Sequence, residues 1–265
     1  MRPLILVTTD DGVDALGFRA VIDAALPLGD VLAAATRTNQ TGMGRSVPKG
    51  PDVGKYEMKE LVLPSGERLD AYSIIGTPAL VVAHAILEFA PRKPDLCISG
   101  INMGENVGSI LTTSGTFGAA LEAESYGVPS IAISQTVRRD SMGARLEGPE
   151  DIDWSAAQYF TTLFANNVLE LGLPDGARIL NINIPVAATL ETPIRRTMQS
   201  RHAYYWFRKP IRDDGGEVRF PVEVEYDLAL LEPDSDIQAV IVDGVVSATL
   251  CSPSLSSPLE WRLPQ

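Results

Sequence analysis

Short, mostly apolar runs alternate along this chain with longer stretches of helical periodicity, and that alternation limits its fold more than any other feature. Leu4-Ile5-Leu6-Val7, Val31-Leu32-Ala33-Ala34-Ala35 and residues 71–75, 96–99, 130–134 and 179–184 read as strands. A continuous apolar run such as the first suits a strand buried on both faces of a sheet. Helical patterns lie between them. One covers residues 16–26 with Asp14 as its cap, and one covers 78–89 with Thr77 as cap and Pro78 in the first turn. A small-residue helix opens at Ser114-Gly115-Thr116 and runs to Tyr126, and a fourth covers 154–171. Strand, helix and strand in this order make right-handed βαβ units, hence a mostly parallel sheet.

Other stretches break the rhythm. Residues 52–70 are mixed and polar and read as a small hairpin-like excursion. Beyond Pro185 the alternation ends. Residues 195–227, centred on Asp213-Asp214-Gly215-Gly216, predict an extended hairpin. Asp234-Ser235-Asp236 can cap a short helix, residues 245–249 form a late strand, and the last fifteen or so read as an arm.

The charge balance narrows the choice of partner. Lys and Arg number 22 against 34 Asp and Glu, a net charge of −12, so a nucleic-acid duplex would be repelled. A small anionic substrate remains compatible if a cation screens it locally. Cys97 and Cys251 make no disulfide framework, which suits a reducing compartment. The N-terminal apolar run is short and lacks a signal-peptide layout, and no uncharged segment approaches the roughly 20 residues needed to span a bilayer. A cytoplasmic protein without membrane contact is expected.

The chemistry-bearing clusters all follow predicted strands, where an open parallel sheet forms its ligand crevice. Asp10-Asp11-Gly12 follows the first strand. Two adjacent carboxylates at a glycine turn suit a hard cation such as Mg²⁺ or Mn²⁺, although the same triplet is also an ordinary turn with a capping aspartate. Thr41 lies on the polar loop after the second strand and offers a hydroxyl ligand. Asn102 and Asn106 lie among Gly100, Gly104 and Gly108, a loop that fits either an anion cradle or a tight surface turn. Ser114-Gly115-Thr116 at a helix start is an anion site, an N-cap, or both. His84 falls on a helix and reads as packed or exposed. His202 is a weak candidate for substrate contact, and Arg138-Arg139, which follow a strand end, could help hold phosphate but read first as a solvated pair.

These motifs together resemble the SurE family, the survival-protein-E nucleotidases. The matching stretches are Thr8-Thr9-Asp10-Asp11-Gly12, the loop from Asn39-Gln40-Thr41-Gly42 to Ser46, and Gly76-Thr77-Pro78-Ala79. Pro94-Asp95 leading to Ser99-Gly100-Ile101-Asn102, then Gly104, Asn106 and Gly108, also match. So do Ser114-Gly115-Thr116, Pro129-Ser130 with the strand to Ser134, Ser235-Asp236 and Val246-Ser247.

The resemblance implies a Rossmann-like, three-layer α/β/α core over residues 1–190. Residues 191–265 would add a protruding β-hairpin and a C-terminal oligomerisation arm to the same domain, in a homodimer or homotetramer. It implies a divalent-metal-dependent phosphomonoesterase acting on nucleoside 5′- and 3′-monophosphates. Asp10, Asp11, Thr41 and Asn102 would hold Mn²⁺ or Mg²⁺. Asn106, Ser114, Gly115 and Thr116 would hold the phosphate, and Asp10 or Asp11 would orient the attacking water or act as base. The chain departs from the family pattern at four places: Thr9 replaces an asparagine, Thr41 a serine, Thr36-Arg37-Thr38 a Pro-Asp-Arg, and Thr113 a tyrosine. Those at Thr9, Thr41 and Thr113 motivate a second reading, a SurE-like module that binds nucleotide or phosphate with little or no hydrolysis.

Overall fold

The structure is a computed structural model that describes residues 1–139, 146, 148–213, 215–216 and 218–254. Among these, β1 (Leu4–Thr8), α1 (Leu16–Ala25) and β2 (Asp30–Thr36) form the first βαβ unit, with β1 and β2 parallel and Leu6 opposite Leu32. β3 (Tyr56–Val62) and β4 (Arg68–Ile74) pair antiparallel, so the excursion after β2 is a hairpin. Its second strand also joins the main sheet, parallel to β2. α2 (Pro78–His84) starts at Thr77, whose hydroxyl accepts the Leu80 N–H at 3.4 Å, as the Thr-Pro pair predicts. β5 (Leu96–Met103), α3 (Gly115–Ser125), β6 (Ser130–Gln135), α4 (Ser155–Leu171) and β7 (Ile179–Ile184) continue the alternation.

The sheet runs β3-β4-β2-β1-β5-β6-β7 and then takes two strands from beyond residue 190, β13 (Val246–Cys251) and β8 (Ile194–Thr197). β13 enters antiparallel to β7 and parallel to β8. Residues 195–197, expected within the 195–227 hairpin, therefore lie in a strand that closes the main sheet instead. The hairpin itself is shorter. β9 (Tyr205–Phe207) pairs with β12 (Val222–Val224), and β10 (Ile211–Arg212) with β11 (Val218–Arg219). Asp214 of its predicted turn and the arm past residue 254 lie outside the described residues.

Two cores flank the sheet. Ile5 and Val7 pack with Phe18, Val21, Ile22 and Phe160 of α1 and α4, whereas Leu6 packs with Val81, Val82, Ala119 and Ala123 of α2 and α3. Adjacent residues of one strand thus serve opposite layers, which is why β1 is apolar throughout. Strand order reverses on either side of β1, with β2 to one side and β5 to the other, so the crevice at their carboxyl ends is the topological switch point. One expected cap is absent. Asp14 does not cap α1; its carboxylate pairs with Lys59 at 2.6 Å and with Arg19 at 3.8 Å. No helix among the described residues is long and apolar enough to cross a membrane.

Candidate active site

β1 ends at Thr8, and the next four residues turn into the crevice. Gly12 makes this turn with φ +100°, against the backbone of Thr38 and Asn39. The Thr9 side chain is buried, and its hydroxyl accepts the Asp11 N–H at 3.2 Å. The methyl-bearing residue at this departure from the family pattern thus braces the turn locally.

Asp10 is 2% exposed. Thr116 donates its hydroxyl to Asp10 Oδ1 at 2.7 Å, and burial followed by the neighbouring Asp11 charge pushes the Asp10 carboxyl up to about 7. Asp11 is held through both oxygens. Asn39 Nδ2 donates to Oδ1 at 3.1 Å and the Met103 N–H to Oδ2 at 3.0 Å. The strand-end loops after β1, β2 and β5 therefore meet at the two aspartates.

The second loop is fixed to the first through its backbone. The Gln40 N–H donates to the Asp10 carbonyl at 2.7 Å, and Thr36 Oγ1 donates to the same carbonyl at 3.3 Å. Thr41 follows directly, exposed, with its N–H on Asn39 Oδ1 at 2.9 Å. Further along, the Gly44 N–H bonds the Thr113 carbonyl at 2.9 Å, which ties this loop to the start of α3.

Asn102 sits where β5 and β6 shift register. Its Nδ2 donates to the Gly104 carbonyl at 2.7 Å, which leaves the amide oxygen as the acceptor of that side chain. Asn106 is buried and gripped from three sides. Its N–H donates to Asn183 Oδ1 at 2.8 Å, and its carbonyl accepts from Asn183 Nδ2 at 2.9 Å and Asn181 Nδ2 at 3.0 Å. Asn106 Nδ2 donates to Ser134 Oγ at 2.9 Å and keeps a second N–H for a ligand.

The Ser114 hydroxyl caps α3 by accepting the Phe117 N–H at 3.0 Å, so the cap reading of this triplet holds. Gly115 and Thr116 turn the same helix start onto Asp10, and a Cβ on Gly115 would lie 2.5 Å from Asp10 Oδ2. The structure thus joins Asp10, Gly115 and Thr116 by direct contact, with Asp11 next to Asp10 in the chain. It brings Asn102 alongside through Met103, and Thr41 alongside through Asn39 and Gln40. Asn106 belongs to the next stretch of the β5 loop, gripped by β6 and β7.

Among the described residues no group of three or more His, Cys, Asp or Glu gathers in a metal-holding arrangement. A cation here would be held by two carboxylates and neutral oxygens. That all-oxygen donor set suits a hard dication such as Mg²⁺ or Mn²⁺. Asp10 has no basic partner among the described residues while a second carboxylate stands beside it, a charge arrangement that a dication would offset.

Sequence reasoning missed several contributors. Asn181 and Asn183 carry the signal of two polar residues at alternate positions of an otherwise apolar strand, the spacing that puts them on one face. Asn39 was legible only as part of a loop motif. Arg139 is not solvated: it pairs with Glu105, Nη2 to Oε1 at 3.1 Å, with 17% of its side chain exposed. His84 bonds Glu88 at 2.8 Å, as expected of a surface helix residue. His202 contributes its carbonyl to the Ser109 N–H at 3.2 Å.

A family model described as Survival protein SurE matches residues 5–206 of this chain. The 5′-nucleotidase SurE of Methanosarcina barkeri is 35% identical over 265 residues, 98% of this chain and 96% of that protein. The 5′-nucleotidase SurE of Methanothermobacter thermautotrophicus is 43% identical over 182 residues, 68% of this chain and 67% of that protein. Among solved structures, the SurE protein from Aquifex aeolicus superposes with a TM-score of 0.72 at 29% identity, covering 96% of this chain and 95% of that one.

Proposed function

The chain belongs to the SurE family, and on that premise we propose that it is a divalent-metal-dependent phosphomonoesterase that hydrolyses nucleoside 5′- and 3′-monophosphates. The observation that carries this reading is the Asp10–Asp11 pair at the switch point, with the amino end of α3 packed against Asp10.

Asp10, Asp11, Thr41 and Asn102 would hold Mn²⁺ or Mg²⁺, which supplies charge neutralisation for phosphoryl oxygens and acidifies water. The chain's own groups do the rest. The first N–H groups of α3 bind phosphate oxygens and stabilise the added charge of the transition state, and the remaining Asn106 amide proton holds the phosphate. Asn39 and Met103 fix the Asp11 carboxylate in one orientation, so it can direct a water at phosphorus and take its proton at Oδ1 or Oδ2. Asp10 is locked by Thr116 and holds the metal end of the site.

The departures at Thr9 and Thr113 do not favour binding without hydrolysis. Thr9 braces the aspartate turn, and Thr113 bonds the Ile110 carbonyl within its own turn. The substrate is a small nucleotide or phosphate ester, in a cytoplasmic homodimer or homotetramer.

Purified protein with Mn²⁺ and AMP, GMP or a chromogenic phosphate ester tests this. Phosphate release should require the metal and fall by about 10² or more in Asp11→Asn, the scale on which a group acting in the transition state is felt. Release that is absent, or unchanged by Asp11→Asn, would overturn the proposal.

A further inference from the structure

Glu105 separates Asn102 from Asn106, yet nothing in the proposed chemistry uses it. Its side chain is 1% exposed, a costly place for a carboxylate unless it is paired and hydrogen-bonded. Both conditions are met. Arg139, just beyond β6, reaches Oε1 through Nε at 3.2 Å and Nη2 at 3.1 Å. Tyr205 donates its hydroxyl to the same oxygen and accepts from Arg139 Nη2 at 2.7 Å. The guanidinium also stands over the Tyr205 ring, 5.4 Å from its centroid.

Tyr205 opens β9, the base of the hairpin, and Tyr204 beside it is buried edge-on to Tyr205 and against Tyr226. Burial and the adjacent Glu105 carboxylate push both phenols well above their ordinary range, so they remain donors. The far end of the loop is pinned to the same part of the chain. The Gly108 N–H bonds Asp236 Oδ2 at 3.0 Å, Gln199 Nε2 donates to the Gly108 carbonyl at 2.8 Å, and the Ser109 N–H bonds the His202 carbonyl. Asn106 thus lies between two anchors that both lead to the segment entering the hairpin.

We propose that Glu105 is a positioning residue: clamped by Arg139 and Tyr205, it makes the placement of Asn106 depend on the base of the 205–224 hairpin. This rests on the reading of Asn106 as a phosphate ligand. Asn106 would contact the phosphate in both ground and transition states, so loosening it removes uniform binding, which raises KM and leaves kcat in place. A merely structural role would lower the fraction of active enzyme instead, and so reduce kcat at unchanged KM.

The experiment is steady-state hydrolysis of AMP at saturating Mn²⁺ by wild type, Glu105→Ala, Glu105→Asp and Tyr205→Phe. The expected result is a KM about tenfold higher for Glu105→Ala, on the scale of one lost charged hydrogen bond. Tyr205→Phe should show a smaller rise and Glu105→Asp partial recovery, with kcat within about twofold of wild type throughout. Should Glu105→Ala fail to fold, Tyr205→Phe carries the same test, since it keeps the ring and removes only the hydroxyl. An active wild type whose KM is unmoved in the folded variants overturns this inference alone. A wild type without metal-dependent release overturns the functional reading beneath it.

Discussion

The Asp10 carboxylate fills the space that a Cβ on Gly115 would need: Oδ2 lies 2.5 Å from that point and the carboxyl carbon 2.9 Å. Glycine at the start of α3 is therefore a condition for bringing the helix end onto the aspartate. Gly115→Ala gains up to about 1 kcal/mol of helix propensity, less at a first-turn position, and loses about 1–3 kcal/mol to overpacking against a locked carboxylate. The steric loss wins. A lower Tm and at least a tenfold drop in metal-dependent phosphate release are expected, and a variant with wild-type values of both would contradict the contact.

The metal-free protein should lose stability as pH rises. The folded Asp10 carboxyl, at about 7, sits above its ordinary value of 3.8, so the folded chain holds this proton more tightly than the unfolded one. The contribution is fully present below about 4 and is lost as pH rises through about 7, with an effect of order a few kcal/mol. Asp236, raised by burial, acts in the same direction. Thermal melts in chelator should therefore show a lower Tm at pH 8 than at pH 5, with a shallower slope in Asp10→Asn. Mn²⁺ should raise the Tm more at pH 8, where no proton competes for the carboxylate. A Tm that climbs from pH 5 to 8 in chelator would contradict the assignment.

Asn183 both accepts from the Asn106 N–H and donates to its carbonyl, whereas Asn181 only donates to that carbonyl. Asn183→Ala strands a buried N–H and costs about 1–3 kcal/mol. Asn181→Ala leaves the carbonyl one donor and costs less. Urea unfolding and kcat/KM for AMP should both rank wild type above Asn181→Ala above Asn183→Ala. Equal effects would show that the grip on Asn106 is not what these residues supply.

The strand–helix alternation of the first 184 residues was legible because most buried strands are largely apolar and most turns are marked by Gly, Pro or a cap. Asp10-Asp11 was legible for the same reason, as two charges at the end of a buried run. β8 was not: Ile194-Arg195-Arg196-Thr197 is a short, charged edge strand whose partner, β13, lies about fifty residues later. Nor were the holders of the site. Asn183 meets Asn106 across 77 positions and Tyr205 meets Glu105 across 100, pairings that no local periodicity encodes. Asp14 misled because a helix-start aspartate reads as a cap, while Lys59 across the fold was free to claim it.

The most direct test of the central claim is Mn²⁺ anomalous diffraction from crystals soaked with phosphate. One strong peak is predicted at the carboxyl ends of β1 and β5, roughly 2.0–2.3 Å from carboxylate oxygens of Asp10 and Asp11, as hard divalent ions require. Thr41 Oγ1 and Asn102 Oδ1 should complete its protein ligands, and phosphate should bridge the metal to the start of α3 and Asn106. A peak elsewhere, or none at saturating Mn²⁺, would contradict the account.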